Sequence, residues 1–266
     1  ITGNVEISAS DSDAKNGFGL TLTSGSISGE IVMDASASAA LESTPDKVSI
    51  TKASSFDHTA PEGYVWVDTE TAGVQTIEKG VAKIGDTLYA TLGGGVVAAV
   101  AGDTVTLRED ASGAGIFVAA DAGKNITIDL GGFTYTCTGP AVGSTGTATQ
   151  AFHLEKGNTI TIKNGTVTST ADSGVKMLVQ NYSNLTLTNV TLDGTKLPGS
   201  NRYVLSNNNG DVVIDGSTIT AKEGDFAFDV CRYASYESVN VEVKGNSTIT
   251  GNVEISASDS DAKNGF

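Results

Sequence analysis

The sequence predicts an all-β chain wound as a right-handed parallel β-helix, a solenoid of about 27 residues per coil, and three observations carry that expectation. Short runs that alternate apolar and polar residues return at near-regular steps. Three such runs fit into each step. Asn-Gly hairpin signals between strands, which an antiparallel meander would need roughly every 8–12 residues, are few.

The first run of each coil begins at Val105 (VTL), Ile126 (ITIDL), Ile160 (ITIKN), Leu185 (LTLTN), Val212 (VVIDG) and Val241 (VEVKG). An Asn or Asp opens four of them: Asn125, Asn158, Asn184 and Asp211. These residues tolerate the left-handed conformation and bond nearby backbone, so they suit tight corners. A second run follows, as in Thr166-Val-Thr, Val190-Thr-Leu, Thr218-Ile-Thr and Thr248-Ile-Thr. The third is Phe152-His-Leu, Met177-Leu-Val, Tyr203-Val-Leu and Phe226-Ala-Phe. Alternation turns Ile126, Ile128, Ile160, Ile162, Leu185, Leu187, Val212, Ile214, Val241 and Val243 inward as one apolar ladder. Each deeply buried member is worth ~1.5–3 kcal/mol.

A longer repeat encloses this one. Residues 1–18, ITGNVEISASDSDAKNGF, recur letter for letter as residues 249–266, a period of 248. A piece of a tandem array, a deliberate duplication and one segment of a longer polymer all account for the overlap; the array is favoured. Carried across it, the first runs continue at Leu20 (LTLTS) and Val48 (VSITK), so that the steps from Ile126 onward are 34, 25, 27, 29, 27 and 28 residues. About nine coils then fill one period, and the coil at 249–266 is expected to stack on residues 19–50 of another unit or another copy.

Four phrases resemble pectate-lyase-like β-helix repeats of bacterial surface proteins: VAKIGDTLYATLGGGVVAAVAGDTVTLREDA (81–111), KNITIDLGGFTYT (124–136), NLTLTNVTLDG (184–194) and APEGYVWVD (60–68). The resemblance implies that residues 1–69 are the terminal coils and closing segment of one unit. Residues 70–266 are then the opening, capping segment and coils of the next. It also implies an amphipathic capping helix near 88–101. Gly93-Gly94-Gly95 falls there, and each Gly costs up to ~1 kcal/mol relative to Ala, so that helix is expected to be short.

Composition narrows the function. With 31 acidic and 16 basic side chains the net charge is −15, and the only arginines are Arg108, Arg202 and Arg232. That balance excludes a nucleic-acid partner and an anionic membrane surface. The most apolar stretch, Gly93–Gly102, is far too short for membrane insertion. The opening Ile1-Thr-Gly-Asn-Val-Glu carries neither a basic nor an apolar targeting segment, and reads as a mature form or an excised fragment.

Chemical candidates are sparse. Asp225, Asp229 and Arg232 share one long coil with Glu237, without the paired carboxylates of a glycosidase or the calcium cluster of a lyase, so no catalytic residue is expected. His58 and His153 stand alone, His153 turned outward by alternation, and no metal is expected. Asp11 to Gly17, repeated as Asp259 to Gly265, offers oxygen ligands for calcium, but Lys15 interrupts them and a plain turn is the better reading. Cys137 and Cys231 lie about three coils apart, too far for a disulfide; Arg232 beside Cys231 is expected to favour its thiolate. Tyr233 and Tyr236, with Tyr182 and Tyr203 in neighbouring coils, form a candidate binding patch with the Asp225, Asp229 and Arg232 loop. The leading expectation is a structural repeat unit of an extracellular or bacterial cell-surface array, a rod, stalk or filament whose partners are copies of itself stacked head to tail, without cofactors. An adhesin or carbohydrate-binding module facing sugar or a host surface comes second, and a polysaccharide lyase or hydrolase third.

Overall fold

The computed structural model describes residues 1–9, 17–232, 236 and 238–257. The chain is all-β, 7% helical, and contains a β-solenoid of about nine turns of roughly 27 residues. It divides into two compact units, residues 1–80 with 88–90, and residues 81–87 with 91–266.

The first unit contains β1 (Val5–Ile7), β2 (Phe18–Leu22), β3 (Ile31–Met33), α1 (Ala35–Ser43), β4 (Val48–Ala53), β5 (Tyr64–Asp68) and β6 (Val74–Lys79). β1 pairs parallel with β3, and β2 with β4. Phe18 faces Val48 and Leu20 faces Ile50, so this step is two residues longer than the sequence spacing suggested and keeps the same face inward. The closing phrase YVWVD becomes β5, which pairs antiparallel with β6, and β6 pairs antiparallel with β4. β6 thus belongs with residues that precede it, although it lies inside the segment 70–266.

α1 was not anticipated. Asp34 caps it, its Oδ1 accepting the Ala37 N–H at 2.7 Å, and Ala37 and Ala40 are buried with Ile7, Ile31 and Ile50. The Ala37 N–H, then the Ser36 hydroxyl, hold the Asp34 carboxyl below its ordinary range. An Asp before an Ala-rich run is a legible start signal.

The second unit opens with β7 (Ala82–Ile84), and β8 (Thr87–Tyr89) falls on the division, with residues 88–89 counted in the first unit. The second unit goes on with α2 (Leu92–Ala98), β9 (Thr104–Leu107), β10 (Ala111–Gly113), β11 (Ile116–Val118), β12 (Asn125–Asp129) and β13 (Thr134–Cys137). It continues through β14 (Gln150–Leu154), β15 (Thr159–Ser169), β16 (Met177–Asn181), β17 (Asn184–Asp193), β18 (Tyr203–Asn207) and β19 (Gly210–Asp215). It ends with β20 (Thr218–Thr220), β21 (Phe226–Arg232), β22 (Val239–Lys244), β23 (Thr248–Thr250) and β24 (Asn252–Ala257). The expected capping helix is α2, a seven-residue helix capped by Thr91, which accepts the Gly94 N–H.

Three apolar columns in register build the core of this unit. The first runs Ile126, Ile160, Leu185, Val212 and Val241, with Ile128, Ile162, Leu187, Ile214 and Val243 beside it. Val105 joins this column opposite Ile128 rather than Ile126. The second runs Tyr135, Val167, Leu192, Ile219 and Ile249. The third runs Ile116, Phe152, Val179, Leu205, Phe228 and Val253. Val241 and Val243 keep the predicted register but not the predicted burial. β22 is the edge of its sheet among the described residues, and Val243 is 46% exposed there.

The corners differ from expectation. Asn158 and Asn184 do not adopt positive φ; Asn164 (φ 57°) and Asn189 (φ 53°) do, bending β15 and β17 so that first and second runs form one continuous strand. Asn158 and Asn184 instead bond across coils: the Asn158 Oδ1 accepts the Lys124 N–H at 3.0 Å, and the Asn184 Oδ1 accepts the Asp211 N–H at 3.0 Å. Cys137 is buried and Cys231 half-buried, and both are free thiols.

Candidate binding face on the six-stranded sheet

β11, β14, β16, β18, β21 and β24 form one parallel sheet, and its register stacks a column of chemically active side chains. Phe117, His153, Gln180 and Ser206 are successive partners, the Ser206 hydroxyl donates to Asp229 Oδ2 at 3.1 Å, and Asp229 faces Glu254. Parallel pairing forces this neighbourhood, because a residue's partner in the next coil is fixed by one coil length.

His153 is fully buried, which outward alternation alone did not foretell. Its ring lies 5.3 Å from Phe117 and 5.8 Å from Tyr182, and Nε2 is hydrogen-bonded to Glu155 Oε1 at 2.6 Å. Tyr182 packs in turn against Tyr236, centroid to centroid 5.0 Å, and the Gln180 amide donates to the Tyr182 hydroxyl at 3.0 Å. An open cavity of about 560 Å³ borders this cluster, lined by Thr149, Glu155, Met177, Gln180, Asn208 and Tyr236 among others.

Of the predicted patch, the structure brings Tyr182 and Tyr236 together. Tyr203 is engaged elsewhere: it stacks on Phe226 at 4.7 Å and donates its hydroxyl to Glu254 Oε2 at 2.7 Å. Burial first, and then this bond to Glu254, raise the Tyr203 hydroxyl above its usual range. Asp225 is buried ahead of β21, its Oδ1 accepting the Arg202 N–H at 3.1 Å. Arg232 is buried at the end of β21. Tyr233 lies outside the described residues, as do Asp11 to Asn16 and Asp259 to Gly265 of the calcium candidate.

Among the described residues, Asp229 is an acid whose surroundings raise it strongly. Burial pushes its carboxyl up to about 7, against the opposing pull of the Asn207 N–H and the Ser206 hydroxyl, while the Glu254 charge pushes it further up. Cys231 departs from expectation for the same reason: burial, and then the Asp229 and Glu254 charges, raise its thiol against the opposing Ser256 hydrogen bond. No group of His, Cys, Asp and Glu among the described residues is arranged to hold a metal ion, and no described helix is long and apolar enough to cross a membrane.

Sequence reasoning missed Glu155, Gln180 and Asn208, and missed Glu254 as the neighbour of Asp229. The signal was the coil period itself: Glu155, Tyr182, Asn209 and Tyr236 follow one another at 27 residues. The Asn209 amide donates to the Tyr182 carbonyl at 2.7 Å, joining two of those corners.

No family model, curated protein or solved structure matches the chain. The β-solenoid therefore rests on its own registers, and the resemblance to pectate-lyase-like surface repeats rests on the four quoted phrases.

Proposed function

We propose that the chain is a structural repeat unit of an extracellular, bacterial cell-surface array in which solenoid coils run from one period into the next. One observation carries the reading: the repeated segment is paired on opposite edges in its two positions. Val5–Ile7 pair with Ile31–Met33 of the following coil, whereas the same letters at Val253–Ile255 pair with residues of the preceding coil, Phe228 to Val230. Superposed as one coil, the two copies have both neighbours a solenoid interior requires. The second apolar column continues too, because Ile1 exchanges backbone bonds with Ser26 and Ser28 across from Ile27, and Ile249 pairs with Ile219.

A chain of two consecutive periods tests the reading. The outer-edge amides of Asn252–Ala257 in its first period should exchange with solvent at least tenfold more slowly than in the single period. Equal exchange rates would defeat it.

A second reading, a carbohydrate-binding face, is favoured by the Tyr182–Tyr236 rings beside the Gln180 and Asn208 amides, since ring faces and paired amides suit polyhydroxylated ligands. Glycan-array binding that Tyr236→Ala abolishes would support it. Against a hydrolytic role for Asp229 stands the engagement of both its oxygens, one by Ser206 and one by the Asn207 N–H. A hydrolytic acid needs a free oxygen facing substrate.

A further inference from the structure

The repeated nonapeptide is held unequally in its two positions. At the start of the chain, β1 pairs through three residues on one edge, and Ile1 is 71% exposed. At residues 252–257 the strand pairs through six positions with β21. Its other edge leaves the inward positions Val253 and Ile255 49% and 67% exposed.

We infer that residues 249–257 of one chain displace residues 1–9 from β3 of a second copy of this chain, joining copies by exchange of identical segments. The inference rests on the array reading above and specifies how separate copies would meet. Every contact that residues 1–9 make with residues 26–33 is restored by the incoming copy, because the letters are the same. The gain is the covering of Val253 and Ile255, which become the link between Phe228 and Ile31 in one column and between Val230 and Met33 in the next.

The alternative is stacking without exchange, with the incoming strand laid on the outer edge of β1. In matching register that arrangement sets Glu254 against Glu6, directly above Asp229, making three acids in line. Like charges directly opposite in neighbouring strands repel. Exchange instead sets Glu254 against Val32, the position Glu6 faces within one chain. Charge therefore selects displacement over simple stacking.

Two double variants of the full chain, both carrying Cys231→Ser, separate the arrangements: Val32→Cys with Glu254→Cys, and Glu6→Cys with Glu254→Cys. Val32 and Glu6 are exposed and Glu254 half-buried, so folding is spared. In-register parallel partners lie within disulfide reach. After mild oxidation, exchange gives intermolecular 254-to-32 links in at least tenfold excess over 254-to-6 links. A majority of 254-to-6 links would overturn exchange while leaving end-to-end continuity in place. Monomers without either link would also overturn exchange, and the two-period chain would then decide the array reading by itself.

Discussion

Residues 1–9 and 249–257 are the same peptide in two settings, and they look like different sequences. Ile7 is 7% exposed and belongs to an apolar cluster with Ile31 and Ile50, whereas Ile255 is among the most exposed large apolar residues described. Glu6 is exposed, but its twin Glu254 is half-buried beneath the Tyr203 hydroxyl. Alternation decides which side chains point inward; the coil stacked on the next edge decides whether inward means buried. A solenoid residue thus takes half of its environment from each side.

The largest expected effect probes a coil with both neighbours present. Leu187→Asp places a charge where Leu187 is fully buried between Ile162 and Ile214, and should cost at least ~5 kcal/mol through desolvation and lost packing. Thermal unfolding followed by circular dichroism should show coils on both sides lost together; an unchanged melting temperature would refute the assigned inward face.

The pairing of β21 with β24 should depend on pH. Asp229 is raised from 3.8 in the unfolded chain to about 7 when folded. The folded state therefore holds the extra proton between those values. Its contribution is fully present below about pH 4, falls as pH rises toward 7 and is flat above that, on the order of 4 kcal/mol across the window at most. Asp229→Asn should flatten the slope and raise stability at pH 8. Urea titrations at pH 4.5 and pH 8 measure it, and a wild-type slope of the opposite sign would contradict the burial.

The comparison itself is tested by one substitution made twice. Ile7→Ala should cost ~2–3 kcal/mol and Ile255→Ala below ~0.5 kcal/mol. In a two-period chain the internal Ile255→Ala should rise to the cost of Ile7→Ala; equal costs in the single period would break the argument. The smallest effect is local: Asp34→Ala should remove about 1 kcal/mol by uncapping α1, seen as lost helical signal and a modest shift in melting temperature.

The apolar columns were legible because their evidence is one-dimensional. Ile160, Leu185 and Val212 sit at coil spacing, and period-2 alternation states which atoms point in. What escaped needed a second dimension. β6 reads as an alternating run like any other, and nothing in VQTIEK announces an antiparallel partner. The Asp229–Glu254 contact joins residues with no shared motif, one of them inside the repeated segment. His153 reads as outward because alternation is blind to the Phe117 and Tyr182 rings that cover it. Scarce aromatic residues drew Tyr182, Tyr203, Tyr233 and Tyr236 into one candidate patch, of which Tyr182 and Tyr236 pack together while Tyr203 stacks on Phe226. The polar cavity wall beside them was not legible, because Gln and Asn are common on strand faces.

The step between coils also differs within a single pair of neighbours. β10 and β13 are offset by 24 residues, while β11 and β14 are offset by 36. The difference falls in residues 138–149, which supply Ser144, Thr145, Thr147 and Thr149 to the cavity wall. Extra chain has been taken up there without moving Phe152 out of line with Ile116. The added residues join strand residues such as Met177 and Gln180 around the cavity while the apolar columns keep their spacing. Residues 138–149 are thus the stretch where the chain takes up length while its register is kept.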